Sequence, residues 1–210
     1  MNRTGRFITL EGGEGTGKST LIQGLSAALA AREIDVVETR EPGGTTLAEE
    51  VRSLALNPPG GETWSPLAHA LLMNTAREDH LKNKIRPALM RGAWVVCDRF
   101  ADSTLAYQSI DGVSLEALMT IQDIVVGESQ PDLTLVLDAP PEVLFERRRQ
   151  RETSDVFEAK DLEFHKRVRA AFLSIAERAP SRCVILDALQ APEDVLEAAL
   201  AVIEARLIAL

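Results

Sequence analysis

Five short runs of apolar, mostly β-branched residues recur along the chain, and stretches with helical periodicity separate them. Strands without polar alternation are typical of a parallel sheet that helices cover on both faces. The sequence therefore predicts an α/β fold with three layers, α/β/α, built on a five-stranded parallel sheet with covering helices. The predicted strands are FITLEG (7–12), DVVETREP (35–42), AWVVCDRF (93–100), LTLVLDA (133–139) and CVILDA (183–188).

The stretches between these strands show apolar residues at the 3.6-residue spacing of helices that cover a sheet. A chain of 210 residues fits one domain or a tight pair of domains, and NPPGGET (57–63) is the only turn-rich stretch long enough for a mobile loop. The sequence therefore predicts a single domain over residues 1–210. The predicted helices cover residues 19–32, 47–55, 67–91, 115–128, 142–151, 162–179 and 193–210.

Charge and hydropathy limit the classes of partner that we expect for the chain. Its net charge is −9 and it has no long basic block, so we expect no nucleic-acid partner, which would require a cationic footprint. No run of about 18 apolar residues occurs, so we expect no membrane partner. The polar start is unlike a signal peptide, and Cys97 and Cys183 lie in apolar runs typical of buried thiols. These features predict a cytoplasmic protein.

A glycine-rich loop follows the first predicted strand and opens the first predicted helix. Its sequence, GGEGTGKST, fits the pattern G-x-x-x-x-G-K-[ST], in which backbone N–H groups and a helix N-terminus bind phosphates. In such a P-loop, Lys18 places a positive charge on the phosphates and the Ser19 hydroxyl can hold Mg²⁺. The predicted ATP-binding residues are Gly12, Gly13, Glu14, Gly15, Thr16, Gly17, Lys18, Ser19 and Thr20.

A second polar group follows the third predicted strand, in CDRFADSTLAYQ (97–108). Asp98 ends the apolar run, as a carboxylate that organises Mg²⁺ does, and Arg99 offers a planar fork suited to phosphate. The alternative is an ion pair between the two at the surface. The carboxyl ends of parallel strands meet at one edge, so we expect this segment to lie beside the P-loop. A polar helical face with one aromatic ring, typical of a pocket for a small planar ligand, carries Ser103, Thr104, Tyr107 and Gln108.

A P-loop alone leaves the reaction open, since GTPases, motor ATPases and small-molecule kinases share it. The N-K-x-D motif that reads guanine is absent, and the chain is short for a motor. Five segments together resemble bacterial thymidylate kinases, which are P-loop nucleoside monophosphate kinases. These segments are GGEGTGKST (12–20), TREPGGT (39–45), LLMNTAREDH (71–80), DRFADSTLAYQ (98–108) and PDLTLVLDAPPEV (131–143).

The resemblance implies transfer of a phosphoryl group from ATP to dTMP, with Mg²⁺ as cofactor, in a homodimer that supports dTTP synthesis. It places Glu14 near the sugar 3′-hydroxyl of the acceptor, which gives a reason for a carboxylate inside an anion-binding loop. It further implies that Arg40 and Arg99 bind the dTMP phosphate. Tyr107 would lie under the sugar and exclude a ribose 2′-hydroxyl.

The same resemblance assigns the base-binding residues. Arg77 would donate to a thymine carbonyl, Gln108 would help to read the base, and Ser103 and Thr104 would line its edge. Without the resemblance, the alternative for Arg77 is a solvated helix residue within TAREDH (75–80). Met73 stands where many members of the family have a phenylalanine that stacks on thymine. A methionine can pack on a ring less rigidly, and the alternative is that Met73 is an ordinary core residue.

The segment ERRRQRETSDVFE (146–158) resembles the arginine-rich, mobile lid of the bacterial enzymes. Its arginines would stabilise the negative charge of the transferred phosphoryl group, so Arg149 and Arg151 join Lys18 and Arg99 as predicted catalytic residues. Val156 stands where the family pattern usually has arginine. A run of arginines is otherwise a solvated helix face.

Two alternatives to a dTMP kinase remain at this point. One is a kinase for another deoxynucleoside monophosphate or for a nucleoside. The other is a non-catalytic switch, in which ATP binding controls partner binding and no acceptor pocket is needed.

Overall fold

The computed structural model describes residues 5–144 and 160–208. Within them, five strands form one parallel sheet in the order β2-β3-β1-β4-β5. The predicted fold class is confirmed, and each predicted strand is present within two residues of its expected start. The strands are β1 (Phe7–Gly12), β2 (Val36–Arg40), β3 (Trp94–Asp98), β4 (Leu133–Asp138) and β5 (Cys183–Asp187).

The register of the sheet brings the segments that follow β1, β2 and β3, which carry predicted site residues, to one edge. Leu10 of β1 is paired with Asp98 of β3, and Asp98 is paired with Arg40 at the end of β2. β1 continues to Gly12, where the P-loop begins. The segments after β1, β2 and β3 therefore leave the sheet side by side, as the parallel arrangement requires.

Helices cover both faces, and most match the predicted ranges. They are α1 (Lys18–Ala30), α2 (Thr46–Leu56), α3 (Pro66–His80), α4 (Arg86–Met90), α5 (Ala101–Ile110), α6 (Leu115–Val126), α7 (Leu162–Arg178) and α8 (Pro192–Ile203).

The long helix predicted over residues 67–91 is interrupted by one π-helical segment, Leu81–Ile85, between α3 and α4. A second π-helical segment, Glu204–Ile208, extends α8. A 3₁₀ turn, Pro59–Gly61, lies within the turn-rich stretch between α2 and α3. Most of the helix predicted over residues 142–151 lies outside the described residues.

Successive residues of β1 and β3 point to opposite faces of the sheet, where they pack into two apolar clusters. Ile8 of β1 and Val96 of β3 pack on one face with apolar residues of α1 and α8. Phe7 and Cys97 point to the other face, where Phe100 and the residues around α4 pack. This alternation produces the predicted three layers. Cys97 and Cys183 are both buried and free, as predicted.

Across residues 5–144 and 160–208, no helix combines the length and the apolar character that crossing a membrane requires.

Candidate active site

The P-loop holds its lysine against its own backbone. Gly17 precedes α1 with φ of 89°, a left-handed conformation that glycine adopts without strain, and α1 has no acidic residue in its first turn. Lys18 is buried, and its Nζ donates to the carbonyl oxygens of Gly13 at 2.9 Å and Gly12 at 3.3 Å. Burial and the nearby Arg99 lower the pKa of Lys18. Because no acidic side chain of its first turn neutralises the positive end of the α1 dipole, this end is available to bind an anion.

Arg99 links the P-loop to the segment after β3. Its Nη2 donates to Glu14 Oε1 at 2.6 Å, and its Nη1 donates to Gly12 O at 3.0 Å and Ser103 Oγ at 3.1 Å. The Tyr107 hydroxyl donates to the same Glu14 oxygen at 3.2 Å. Burial alone raises the pKa of Glu14, but Arg99 and Lys18 outweigh it and lower that pKa to about 2. Glu14 is therefore an ionised partner of Arg99, and the surface Asp98–Arg99 pair considered from the sequence is not the arrangement that forms.

The buried Glu11 fixes the start of the helix that carries Ser103 and Tyr107. Its Oε1 accepts from the backbone N–H groups of Phe100 at 2.7 Å and Ser103 at 3.3 Å, and its Oε2 accepts from Ser103 Oγ at 2.6 Å. A carboxylate at a helix N-terminus complements the helix dipole. Burial and the neighbouring Asp102 nevertheless raise the pKa of Glu11 to about 7.

Arg77 is buried beneath the same region, with 3% of its side chain exposed. Its Nε donates to Glu41 Oε2 at 2.7 Å and its Nη1 to Asn74 Oδ1 at 2.9 Å. Its Nη2 donates to Phe100 O at 3.1 Å and Thr104 Oγ1 at 3.0 Å. The solvated helix residue considered from the sequence is thus excluded for Arg77.

Arg40 lies at the outer edge of the site. Its Nη2 donates to both carboxylate oxygens of Glu49, at 3.0 and 3.1 Å, and the side chain is 55% exposed. Glu49 also accepts from the backbone N–H of Gly44 at 2.9 Å. A carboxylate thus holds each of the two arginines predicted to bind the acceptor phosphate, Glu49 for Arg40 and Glu14 for Arg99.

A cavity of about 300 Å³ joins these groups. Among the residues that the structure describes, five cationic and three anionic side chains line it, so this lining is locally positive although the chain carries −9. Such a balance suits an anionic ligand, because lining cations raise its local concentration. The charged residues of the lining are Lys18, Arg40, Arg52, Arg77, Arg99, Glu14, Glu41 and Asp98.

The structure brings most of the predicted site residues into this one cavity. All nine residues predicted to bind the acceptor line it: Glu14, Arg40, Met73, Arg77, Arg99, Ser103, Thr104, Tyr107 and Gln108. So do Gly15, Gly17, Lys18, Ser19, Thr20 and Asp98 of the predicted ATP and metal sites. Gly12, Gly13 and Thr16 line a small cavity of about 20 Å³ on the other side of the loop. Arg149, Arg151 and Val156 lie outside the described residues.

Asp98 and Ser19 suit a magnesium ion. The Oδ1 atom of Asp98 is buried and has no hydrogen-bond partner within residues 5–144 and 160–208, which is costly for a carboxylate unless a further ligand binds it. Ser19 is exposed and lines the same cavity as Asp98. Hard oxygen donors of this kind, completed by phosphate oxygens and water, are those that Mg²⁺ prefers.

The chain is similar in sequence to known thymidylate kinases. A sequence model of the thymidylate kinase family matches residues 10–199. A thymidylate kinase of Caulobacter vibrioides is 50% identical over 185 residues, which cover 88% of each chain. One from Rhodopseudomonas palustris is 46% identical over 203 residues, covering 94% of this chain and 88% of the relative.

The fold is also that of a solved member. The crystal structure of thymidylate kinase from Ehrlichia chaffeensis superimposes with a TM-score of 0.79 at 32% identity, covering 95% of this chain and 98% of that one. The chain belongs to the thymidylate kinase family. The family accounts for the joint presence of the P-loop, REPGGT and DRFADSTLAYQ segments around one cavity.

Several residues that line the cavity carry no clear signal in the sequence. Glu41 and Pro42 were visible inside REPGGT, but the motif alone gave no role to either. Arg52 lines the cavity and donates to Pro42 O at 2.8 Å, yet on the sequence it reads as an ordinary exposed helix residue. The other lining residues that were missed are Leu56 and Phe100.

Proposed function

We propose that this member of the thymidylate kinase family transfers the γ-phosphoryl group of ATP to dTMP, giving ADP and dTDP. The observation that carries the proposal is the single cavity in which P-loop residues and all nine predicted acceptor residues meet. A non-catalytic ATP switch needs no pocket for an acceptor beside the P-loop. Family membership supports the same reaction.

On the donor side, the loop backbone and the N-terminus of α1 bind the ATP phosphates. Lys18 then exchanges its contacts with the carbonyl oxygens of Gly12 and Gly13 for phosphate oxygens, which are stronger partners for a buried ammonium group. Ser19 and Asp98 hold Mg²⁺. When bound, this ion neutralises negative charge on the phosphates of ATP.

On the acceptor side, Arg40 and Arg99 bind the dTMP phosphate. Because Arg99 already pairs with Glu14, an arriving phosphate replaces that carboxylate and leaves Glu14 to accept from the sugar 3′-hydroxyl. The arginines thereby neutralise the dTMP phosphate, which must approach the anionic phosphates of ATP. Because the P-loop binds ATP and, through Glu14, also the sugar of dTMP, it fixes the donor and the acceptor relative to each other. The transfer proceeds in line, with no covalent enzyme intermediate.

The inner part of the cavity binds the base. Arg77 and Gln108 supply hydrogen bonds to thymine, and Ser103 and Thr104 line its edge. Met73, which is buried with 6% exposed, packs on the ring. Tyr107, held by its hydrogen bond to Glu14, lies under the sugar.

Three further expectations follow from membership of the family. Arg149 and Arg151, in the segment predicted as a mobile lid at 146–158, would stabilise the transferred phosphoryl group. A homodimer would cover the exposed apolar side chains of α3 and α6, such as Leu67, Leu71 and Met119. A cytoplasmic location fits enzymes that use ATP and dTMP.

The test is ADP formation from MgATP by the purified protein with dTMP, dUMP, dCMP, dGMP, AMP, UMP or thymidine as acceptor. A strong preference for dTMP supports the proposal in full. Equal activity with several monophosphates retains the kinase but refutes the base specificity. An absence of acceptor-dependent ADP refutes the kinase and favours the switch. Light scattering after size exclusion tests the dimer separately.

A further inference from the structure

One carboxylate, Glu41, joins two buried basic side chains of α3. Its Oε2 accepts from Arg77 Nε at 2.7 Å and its Oε1 is hydrogen-bonded to His80 Nδ1 at 3.0 Å. The side chains are 3% exposed for both Glu41 and Arg77 and 0% for His80. Since a carboxylate only accepts, the proton of this second bond lies on Nδ1 of His80.

The other hydrogen bonds of Arg77 leave the guanidinium little freedom. Within the part of the chain that the structure describes, four of its five N–H groups donate, to Glu41, Asn74, Phe100 O and Thr104. Glu41 is the only charged group among these partners, and a charge-assisted bond is roughly twice as strong as a neutral one. Glu41 therefore contributes most to the orientation of the remaining N–H group on Nη1.

His80 connects this network to the end of β2 and to the segment that follows it. Its Nε2 is hydrogen-bonded to Thr39 Oγ1 at 2.7 Å, and Gly44 lies against the same ring. Thr39 and Glu41 flank Arg40, the residue proposed to bind the acceptor phosphate. The network Thr39–His80–Glu41–Arg77 thus joins the phosphate-binding and base-binding parts of the cavity.

A buried ion pair is a costly way to stabilise a fold, because desolvation of both charges offsets most of their attraction. We propose that Glu41 is the positioning residue of the acceptor site: it orients Arg77 for the base and, through His80, fixes the distance between the base-binding and phosphate-binding parts. The inference rests on the proposed function and goes beyond it, because Glu41 acts through Arg77 and does not itself transfer or receive the phosphoryl group.

The experiment compares Glu41→Gln with Glu38→Gln. Each variant loses one negative charge, at positions three residues apart in the chain, but Glu38 is exposed and is not among the residues that line the cavity. Steady-state kinetics should give E41Q a KM for dTMP raised by roughly tenfold or more, with KM for ATP changed less than about twofold. E38Q should match the wild type. Calorimetric titration of dTMP into each protein should show the same loss without requiring turnover.

A double-mutant cycle with Arg77→Ala separates positioning from general loosening of the fold. If Glu41 acts mainly through Arg77, most of the effect of the E41Q change on dTMP affinity is absent in the R77A background, and the remainder reflects the link through His80. Equal increases in both KM values, or additive losses in the cycle, would overturn the inference. If E41Q does not fold, Glu41→Asp provides the same comparison, since it keeps the charge but withdraws it from Arg77.

The outcomes also separate the inference from the proposed function. A wild-type protein that neither binds nor phosphorylates dTMP refutes both. A wild-type protein that does so, together with an E41Q variant that keeps full dTMP affinity, refutes the positioning role alone.

Discussion

Substitution of Gly44 by alanine tests the packing behind the acceptor site. Gly44 has φ of 91°, a conformation that costs an L-residue about 1–2 kcal/mol. A Cβ atom there would lie 2.5 Å from His80 Nε2 and 2.6 Å from Thr39 Oγ1, closer than Cβ atoms approach other side chains in real proteins. These two atoms hydrogen-bond to each other and His80 is completely buried, so the methyl group must displace His80, Thr39 or both and strain the bond between them.

The magnitude follows from comparison with a second glycine. Gly112 has a similar φ of 104°, but a Cβ atom there would meet no atom within 4 Å. Gly112→Ala should therefore cost only the backbone term. Gly44→Ala adds overpacking, typically about 1–3 kcal/mol, and one displaced hydrogen bond of about 1 kcal/mol. The free energy of unfolding should thus fall by about 2–4 kcal/mol more in G44A than in G112A.

Urea denaturation of the wild type and both variants at one pH measures this difference. Where G44A remains folded, its KM for dTMP should also rise, because displacement of His80 disturbs Glu41 and so Arg77. A G44A variant that is no less stable than G112A would refute the argument, since the space beside Gly44 could then not be filled by His80 and Thr39.

Three further changes test the site itself. Lys18→Ala should lower kcat by at least about a hundredfold with an unchanged circular dichroism spectrum; a mild effect would remove Lys18 from the transfer step. Tyr107→Phe loses the hydrogen bond to Glu14 and should lower kcat/KM for dTMP by about three- to tenfold, with kcat/KM for ATP spared; equal losses for both substrates would contradict the local role. The pKa of Glu14, lowered to about 2, means that its stabilising effect is complete above about pH 4.5 and is lost as the pH falls toward 2. The stability advantage of wild type over Glu14→Gln in urea should therefore be constant between pH 7 and 5 and shrink from pH 4.5 to 3; an advantage that stays constant down to pH 3 would show that this pKa is not lowered.

The strands and most helices were predictable because their signals are local. β1 was predicted with its correct bounds, since a continuous apolar run ended by a P-loop leaves little choice. The convergence of the P-loop and DRFADSTLAYQ was also predictable, because parallel strands place their carboxyl ends at one edge. The π-helical segment Leu81–Ile85 was not, since an extra residue in a helical turn leaves no clear mark on the periodicity.

The partners of the charged residues could not be predicted. The sequence suggested Glu14 and Arg99 as separate ligands of the acceptor, but gave no sign that they pair with each other. It likewise could not show that Glu41 lies beside Arg77, 36 residues further along the chain. Such contacts depend on the strand order and on how α3 packs against the sheet, and neither is encoded in a short window of sequence.

The local positive balance of the cavity has a consequence for how nucleotides reach it. Both substrates are anions, and a chain of net charge −9 repels them at long range. Attraction by the lining cations prevails only near the cavity mouth, within about one Debye length of roughly 8 Å at physiological ionic strength. Moderate salt screens the distant repulsion more than the contacts inside the partly enclosed pocket. The capture of nucleotides should therefore tolerate, or even gain from, ionic strengths that slow enzymes whose whole surface attracts their substrates.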